Sequence, residues 1–335
     1  MDTGLRFTLL GPVQGWCGET ELDLGTPQQR AVLALLLLRE GEVVSIDEIV
    51  DALWEERTPA SARAIVRTYL SRLRRALASG EVIRASGGGY AVPPGSVEVD
   101  WARFSGLVRE AQAVRADGRP AEAAGLLREA LRLWRGTPLG GARGDYVDQE
   151  RTRLAQHRVA ALEERLALDL ELGRHAEVSE ELAAAVAAEP TRERLRELRM
   201  TALYRSGRQA EALAAYDEVR RLLATELGID PGAGLRELHQ RILRADPGLA
   251  APPRHPDADL ATQHLAPDLA TRYAASGARH SVPAEWPPAQ LPAAPPGFVG
   301  RRAESAAVQE ALRPAGGAPV VAITGLGGMG KTALA

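Results

Sequence analysis

The sequence is poor in cysteine and aromatic residues and has no long hydrophobic run. Its single cysteine, Cys17, excludes a disulfide framework and a cysteine-rich zinc site. The six histidines are scattered without ligand spacing, so we expect no metal site. No apolar run approaches the roughly 18 residues that span a bilayer, and no basic segment leads into an apolar stretch at the start. We therefore expect no membrane contact and a cytoplasmic, nucleoid-associated protein.

Lysine is nearly absent too, since 40 of the 41 basic residues are arginine and the exception is Lys331. The arginine bias is typical of a GC-rich genome and says nothing about function. Residues 1–95 carry 10 Arg against 12 Asp and Glu, but the segment 59–77 has five Arg and no acid. Because salt limits surface electrostatics to about 10 Å, this local charge favours nucleic-acid binding over the acidic average.

Composition and hydrophobic periodicity divide the chain into four regions. Residues 1–95 mix strand and helix patterns, and residues 96–246 are nearly all helical. Residues 247–296 hold 11 of the 22 prolines and few large apolar side chains. Such a segment buries too little surface to offset its ordering entropy, which predicts a flexible linker. Residues 297–335 begin a new pattern.

The first region combines strands with three helices. LRFTLLGPVQ and ETELDLG predict short strands, and EVIRAS followed by glycines and GYAV predicts a hairpin over 81–92. Thr26-Pro27 and Ser45 are N-terminal capping signals for two helices, the first ending at Gly41 and the second covering 46–54. Thr58-Pro59 carries the same signal and predicts a third helix that reaches about Ala78.

The third predicted helix separates apolar from basic residues. At 100° per residue, one face holds the apolar set Ala62, Ile65, Val66, Tyr69, Leu70, Leu73, Ala76 and Leu77. The opposite face holds cationic and hydroxyl side chains: Arg63, Arg67, Thr68, Ser71, Arg72, Arg74 and Arg75. A major groove about 12 Å wide admits such a helix, and arginine can form bidentate hydrogen bonds with guanine or phosphate. The alternative is a solvated arginine face in an arginine-rich chain.

The elements around this helix favour DNA binding. A short helix before it and a hairpin after it together indicate a winged helix-turn-helix. In that arrangement the hairpin reaches the backbone or the minor groove, with Arg84 and Tyr90 as candidate contacts.

These segments resemble the OmpR-type DNA-binding domain of the Streptomyces antibiotic regulatory protein (SARP) family. The match covers the whole first region, and VRTYLSRLRRAL is its most specific part. The resemblance implies a transcriptional activator that binds direct repeats in promoter DNA as a dimer. We expect an output domain like that of two-component phosphorelay regulators, without a receiver domain before it.

The second region contains an internal repeat. The form G-R-x-A-E begins at Gly118, Gly173 and Gly207, and the last two lie 34 residues apart, the tetratricopeptide period. We predict stacked helical hairpins that bury a shared core, with Trp101 and Trp134 in that core. LGIDPGAGLRELHQRIL resembles the end of the bacterial transcriptional activation domain of SARP regulators, which implies dimerisation and protein contacts. The predicted fold is therefore mainly α, a winged helix followed by a tetratricopeptide-like domain.

The last region carries a phosphate-binding motif. PVVAIT leads into a Walker A pattern in the required strand-to-loop context. In this pattern glycine N–H groups wrap phosphates, the lysine meets the β- and γ-phosphates, and the threonine ligates Mg²⁺. The predicted nucleotide-binding residues are Gly325, Gly327, Gly328, Gly330, Lys331 and Thr332. Upstream, GFVGRRAE resembles the NB-ARC domain of STAND-type signalling ATPases, so the whole chain resembles a large SARP regulator.

The sequence ends three residues after Thr332. We expect a fragment cut inside its ATPase domain, without cofactor or enzymatic activity of its own, whereas ATP and Mg²⁺ belong to the longer protein. The leading hypothesis is a sequence-specific activator that contacts RNA polymerase through its σ subunit and controls antibiotic genes. The alternatives are a signalling ATPase whose N-terminal parts dock partners, and a helical scaffold without a DNA role.

Overall fold

The structure is a computed structural model that describes residues 4–54, 58–77 and 82–250. The strands are β1 Leu5–Thr8, β2 Gln14–Cys17, β3 Thr20–Glu21, β4 Val44–Ser45, β5 Arg84–Ser86, β6 Gly89–Ala91 and β7 Glu98–Val99. The helices are α1 Pro27–Leu38, α2 Ile46–Trp54, α3 Ala62–Ala76, α4 Asp100–Ala116, α5 Pro120–Arg132, α6 Asp145–Glu171, α7 Ser179–Ala188, α8 Glu193–Arg205, α9 Gln209–Glu226 and α10 Ala233–Leu243. A 3₁₀ turn, Pro247–Leu249, follows them. The 3₁₀ turn covers the first residues of the predicted linker 247–296, whereas residues 251–335 lie outside the described ranges.

Two small sheets flank the first three helices. One has the order β3-β2-β1-β7 and the other the order β4-β6-β5. In the first sheet Phe7 faces Gly15 across the antiparallel β1–β2 pair. A Cβ at Gly15 would lie 2.7 Å from the Phe7 ring, so glycine is what lets this buried ring close over β2.

The predicted caps of α1 and α2 are confirmed. The Thr26 hydroxyl accepts a hydrogen bond from Gln29 N, and Gln29 Oε1 accepts one from Thr26 N. Ser45 and Glu48 make the same reciprocal pair at the start of α2, with distances of 2.8 and 3.1 Å. Each pair is a capping box that satisfies two N–H groups that lack helical partners.

The predicted start of α3 is wrong. The helix begins at Ala62, because Ala62 N donates to the Pro59 carbonyl and closes a turn first. Ser61 then occupies the N-cap position without a side-chain cap. Pro59 therefore belongs to the turn between α2 and α3 and not to the helix.

The predicted hairpin is present as β5 and β6. Gly87 and Gly88 connect the strands with φ angles of 55° and 87°. Positive φ at both central positions is the signature of a type I′ turn, which glycine adopts at low cost. Strand β6 also pairs with β4, so the hairpin is attached to the residues that precede α2.

The described structure is continuous across the predicted boundary at residues 95 and 96. Strand β7 lies beyond that boundary, yet it pairs in parallel with β1. Leu139 N donates to Leu9 O at 2.9 Å, and Val13 N donates to Gly140 O at 2.8 Å. One hydrophobic core contains residues of the sheets, of α1–α5 and of α6 along most of its length. The first helical hairpin thus belongs to the same packing unit as the winged helix.

Asp100 joins the two regions by hydrogen bonds. Its carboxylate accepts from Leu9 N at 2.7 Å and from Leu10 N at 3.1 Å. Burial raises the pKa of this carboxyl group, and the two backbone donors oppose that rise.

Replacing Asp100 should therefore destabilise both regions at once. Asp100→Asn keeps one acceptor oxygen but turns an amide toward the second N–H group, which loses its partner. We expect a loss of about 1–3 kcal/mol in the free energy of unfolding, measured with urea. Asp117→Asn, at an exposed helix end, is the control and should stay within about 0.5 kcal/mol. Equal effects of the two substitutions would contradict the bridging role of Asp100.

The three G-R-x-A-E segments connect paired helices, as predicted. Gly118, Gly173 and Gly207 follow α4, α6 and α8 with φ of 77°, 78° and 75°. This left-handed conformation ends each helix and suits glycine. Trp101 and Trp134 pack around the buried Phe104 ring at centroid distances of 5.6 and 5.4 Å, which confirms their core role.

The predicted stacking of helical hairpins is confirmed, and neighbouring helices share their buried residues in successive clusters. Beyond the first cluster, one core joins α6, α7 and α8, and another joins α8, α9 and α10. Helical repeats contact mainly their neighbours, so burial proceeds stepwise along the chain. No helix in the described residues is long and apolar enough to cross a membrane.

Candidate nucleic-acid interface

Helix α3 has the two-faced arrangement that the sequence predicts. Its buried residues are Ala62, Val66, Leu70 and Leu73, which join the core shared with α1 and α2. On the other side the predicted basic and hydroxyl side chains are exposed, except Arg74. The exposed set is Arg63, Arg67, Thr68, Ser71, Arg72 and Arg75. The packing of α3 therefore leaves its basic face open to solvent.

Three arginines of this face are available to a ligand. Among the described residues, none forms a hydrogen bond or ion pair with the side chain of Arg67, Arg72 or Arg75. Each guanidinium carries five donors that suit phosphate oxygens or the acceptor edge of guanine. These three side chains are thus the strongest candidates for DNA contacts.

Arg63 differs because it already has an acidic partner. Its Nε and Nη2 lie 2.7 and 2.8 Å from the two carboxylate oxygens of Asp47 on α2. Both side chains are exposed, so this pair contributes no more than about 1 kcal/mol and can exchange for a phosphate. No local sequence signal identifies Asp47 as this partner, because its position beside α3 follows from how α2 packs.

The two hydroxyl residues are not equivalent. Thr68 Oγ1 donates to the Ala64 carbonyl at 3.0 Å, which uses its only proton. In this arrangement Thr68 offers its methyl group and acceptor lone pairs to a base edge. Ser71 lies one turn away on the same exposed face.

Arg74 and Tyr90 connect α3 to the hairpin. Arg74 Nε donates to Ile83 O at 2.8 Å, and its guanidinium carbon lies 5.2 Å from the centre of the Tyr90 ring. Both residues are half-buried. Arg74 of α3 and Tyr90 of the hairpin thus hold the hairpin against α3 and do not lie on the exposed face with the other candidates. Arg84 is exposed on the outer strand β5.

The N-terminus of α1 lies beside the basic face, a feature the sequence analysis missed. A cleft of ≈ 690 Å³ is lined by Thr26 and Gln29 of α1 and by Arg72 and Arg75 of α3. Helix N-termini carry partial positive charge and bind phosphate. Asp23, also in the cleft, opposes that charge. No local sequence signal reveals this neighbourhood, because tertiary packing alone brings α1 to α3.

The predicted nucleotide-binding residues lie outside the described ranges. They are Gly325, Gly327, Gly328, Gly330, Lys331 and Thr332. Within residues 4–54, 58–77 and 82–250, no group of three or more His, Cys, Asp or Glu side chains could hold a metal ion.

Two family profiles match the chain. Residues 19–92 match the family described as "Transcriptional regulatory protein, C terminal". Residues 99–243 match the "Bacterial transcriptional activator domain". The two matches cover the winged helix and the helical region, respectively.

Curated relatives and a solved structure agree with these matches. Regulatory protein AfsR of Streptomyces griseus is 47% identical over 333 residues, 99% of this chain and 32% of AfsR. Regulatory protein DnrI of Streptomyces peucetius is 35% identical over 256 residues, 73% of this chain and 94% of DnrI. The structure of Mycobacterium tuberculosis EmbR in complex with a low affinity phosphopeptide superposes with a TM-score of 0.69 at 36% identity, covering 80% of this chain and 71% of that one.

The chain spans about a third of the length of the two AfsR proteins it matches. The alignment with DnrI, however, covers nearly the whole length of that protein. The chain belongs to the Streptomyces antibiotic regulatory protein (SARP) family of transcriptional regulators.

Proposed function

We propose that the chain is a sequence-specific activator that binds direct repeats in promoter DNA through the exposed face of α3. The observation that carries this proposal is the exposed set Arg67, Arg72 and Arg75, whose side chains have no partner among the described residues, on a helix whose other face is buried or half-buried. The N-terminus of α1, which carries partial positive charge, lines the same cleft as Arg72 and Arg75. We propose that Arg84, which is exposed on the hairpin, contacts the DNA backbone or the minor groove.

Two protomers on adjacent repeats would read one face of the duplex. Repeats separated by one helical turn of about 10–11 base pairs place both α3 helices on the same side. The helical region would supply the surface through which the two protomers contact each other, which leaves α3 of each protomer free to bind DNA. We propose that the regulator acts at the nucleoid as a dimer on DNA and controls antibiotic genes.

The loop between α9 and α10 exposes apolar side chains that another protein could cover. Leu227 and Ile229 in this loop are 55% and 50% exposed, unlike most large apolar residues of the described structure. A protein partner would remove this apolar surface from water. We propose that the partner is RNA polymerase, contacted where its σ subunit reads the promoter.

In vitro transcription with purified polymerase tests this function. The 335-residue chain should stimulate transcription from a template with direct repeats, and a five-base-pair insertion between repeats should abolish the stimulation by rotating one site to the opposite face. Leu227→Ser with Ile229→Ser should keep DNA binding and lose stimulation. Tight DNA binding without stimulation on the intact template would instead favour a repressor.

We further propose that a longer protein of this kind binds ATP and Mg²⁺ through residues 319–332. The spacing of the Walker A pattern supports this, as does the position of Lys331, the only lysine in the chain. Nucleotide binding would thus be an additional property of the longer protein. It would not change DNA binding by the first 246 residues.

A further inference from the structure

Four arginines line a cleft in the helical region, far along the chain from α3. The cleft has a volume of ≈ 380 Å³ and lies where α5, α6 and α7 meet. Helix α5 contributes Arg128 and Arg132, one turn apart, and α6 contributes Arg158 and Arg165. Glu181 of α7 is the only acidic residue in the lining, and leucines form the apolar walls.

The base of this cleft keeps an excess of positive charge. The buried carboxylate of Asp169 forms ion pairs with Arg128, Arg165 and Arg174. Three guanidinium groups thus share one buried carboxylate, and Arg165 also pairs with Glu181 on α7. Burial lowers the pKa of Arg128, and Arg174 and Arg165 lower it further against the attraction of Asp169. The two outer arginines add further positive charge to the lining.

Arg165 keeps one unused hydrogen-bond donor in the wall of this site. The residue is 5% exposed, and its Nε has no hydrogen-bond partner among the described residues. Its Nη2 forms an ion pair with Glu181 Oε1 at 2.6 Å. Buried donors are normally satisfied, so the unpartnered Nε beside a cleft indicates a missing acceptor. Glu181 is half exposed and can swing away from such a ligand.

The outer arginines complete the charge pattern. Arg132 and Arg158 are exposed, and Arg158 lies over the Trp134 ring at 5.8 Å. Neither belongs to the Asp169 cluster, so both can turn toward a ligand without breaking it. Guanidinium groups converging from two helices match the several oxygens of a phosphate group.

We propose that this cleft binds the phosphate group of a small phosphorylated metabolite. The volume suits a small molecule, and the leucine walls would contact its organic part. The site is separate from the DNA-binding face, because its side chains come from α5–α7 and those of the face come from α3.

Isothermal titration of the 335-residue chain with pyrophosphate, at fixed ionic strength and without DNA, tests the site. We expect saturable binding that weakens about tenfold or more in Arg132→Gln with Arg158→Gln. Glucose 6-phosphate should bind and glucose should not, whereas orthophosphate binding as tightly as glucose 6-phosphate would assign the site to the free ion and overturn the metabolite proposal.

Two control variants distinguish this site from the other basic segments. Arg72→Ala with Arg75→Ala removes charge from α3, and Lys331→Ala removes it from the Walker A pattern; both should keep pyrophosphate binding. Unchanged melting temperature without ligand verifies that the Arg132 and Arg158 variant is folded. Absent binding, binding that survives in that variant, or binding lost in either control overturns the proposal. So does a phosphoserine peptide that binds more tightly than the small probes.

Discussion

Replacing Arg72 and Arg75 together by alanine should weaken DNA binding by roughly a hundredfold or more at low salt. Hydrogen bonds to charged groups contribute about 1.5–3 kcal/mol each, and tenfold in affinity corresponds to about 1.4 kcal/mol. Neither side chain has a partner in the described structure, so the loss would reflect DNA contacts and not a damaged fold. The affinity for specific and for random DNA should fall alike if both arginines neutralise phosphates.

The salt dependence provides a second measurement of the same contacts. Each neutralised phosphate contributes roughly −0.9 to the slope of log affinity against log salt, so the double variant should lose nearly two units. Arg220→Ala with Arg236→Ala is the matched control, because it removes the same charge from exposed positions of α9 and α10. Gel shifts across a salt series measure both. A folded Arg72 and Arg75 variant with the slope of the control would refute the assignment of the face.

The basic face of α3 could be predicted because helical periodicity alone determines it. Every predicted core residue of this helix is buried or half-buried, and six of the seven opposite residues are exposed. Arg74 is the exception. A helical wheel places it with the other arginines, but the hairpin folds back over its end of α3. The position of Tyr90 depends on the same long-range contact, which the sequence does not encode locally.

Two identical sequence signals give different results. Thr26-Pro27 starts α1, whereas Thr58-Pro59 precedes a turn. The difference lies three residues after each threonine, where Gln29 returns a hydrogen bond to the Thr26 backbone. At the equivalent place after Thr58 stands Ser61, whose side chain makes no capping hydrogen bond. The capping box as a whole, and not the Thr-Pro pair, is therefore the informative signal.

The junction near residue 95 and the arginine cleft depend on contacts distant in sequence. Composition changes there, but β7 pairs with β1 and Asp100 binds the backbone of residues 9 and 10. Arg165 and Asp169 are spaced one turn apart and could be predicted as a pair. Arg128 comes from another helix, 41 residues away, so the sequence does not predict three guanidinium groups on one carboxylate.

Asp169→Asn should destabilise the protein more than any exposed substitution. Asp169 is 1% exposed, and its carboxylate is the shared partner of Arg128, Arg165 and Arg174. The amide has nearly the same shape, so the change removes charge and one acceptor without opening a cavity. Removing one partner of a buried ion pair costs about 3–5 kcal/mol, because the remaining charge stays buried. Urea unfolding should report a loss in that range.

The matched control is Asp217→Asn, which removes a carboxylate from an ion pair with Arg220 at 3.6 Å. Both side chains of this ion pair are 57% exposed, so water replaces the lost partner. The control should therefore change the free energy of unfolding by no more than about 1 kcal/mol. If the two variants unfold at the same urea concentration, the Asp169 cluster contributes no more than a surface pair. If Asp169→Asn alone is destabilised, the shared buried carboxylate stabilises the arginine cluster. An anion bound in the adjacent cleft should then restore part of the lost free energy of unfolding.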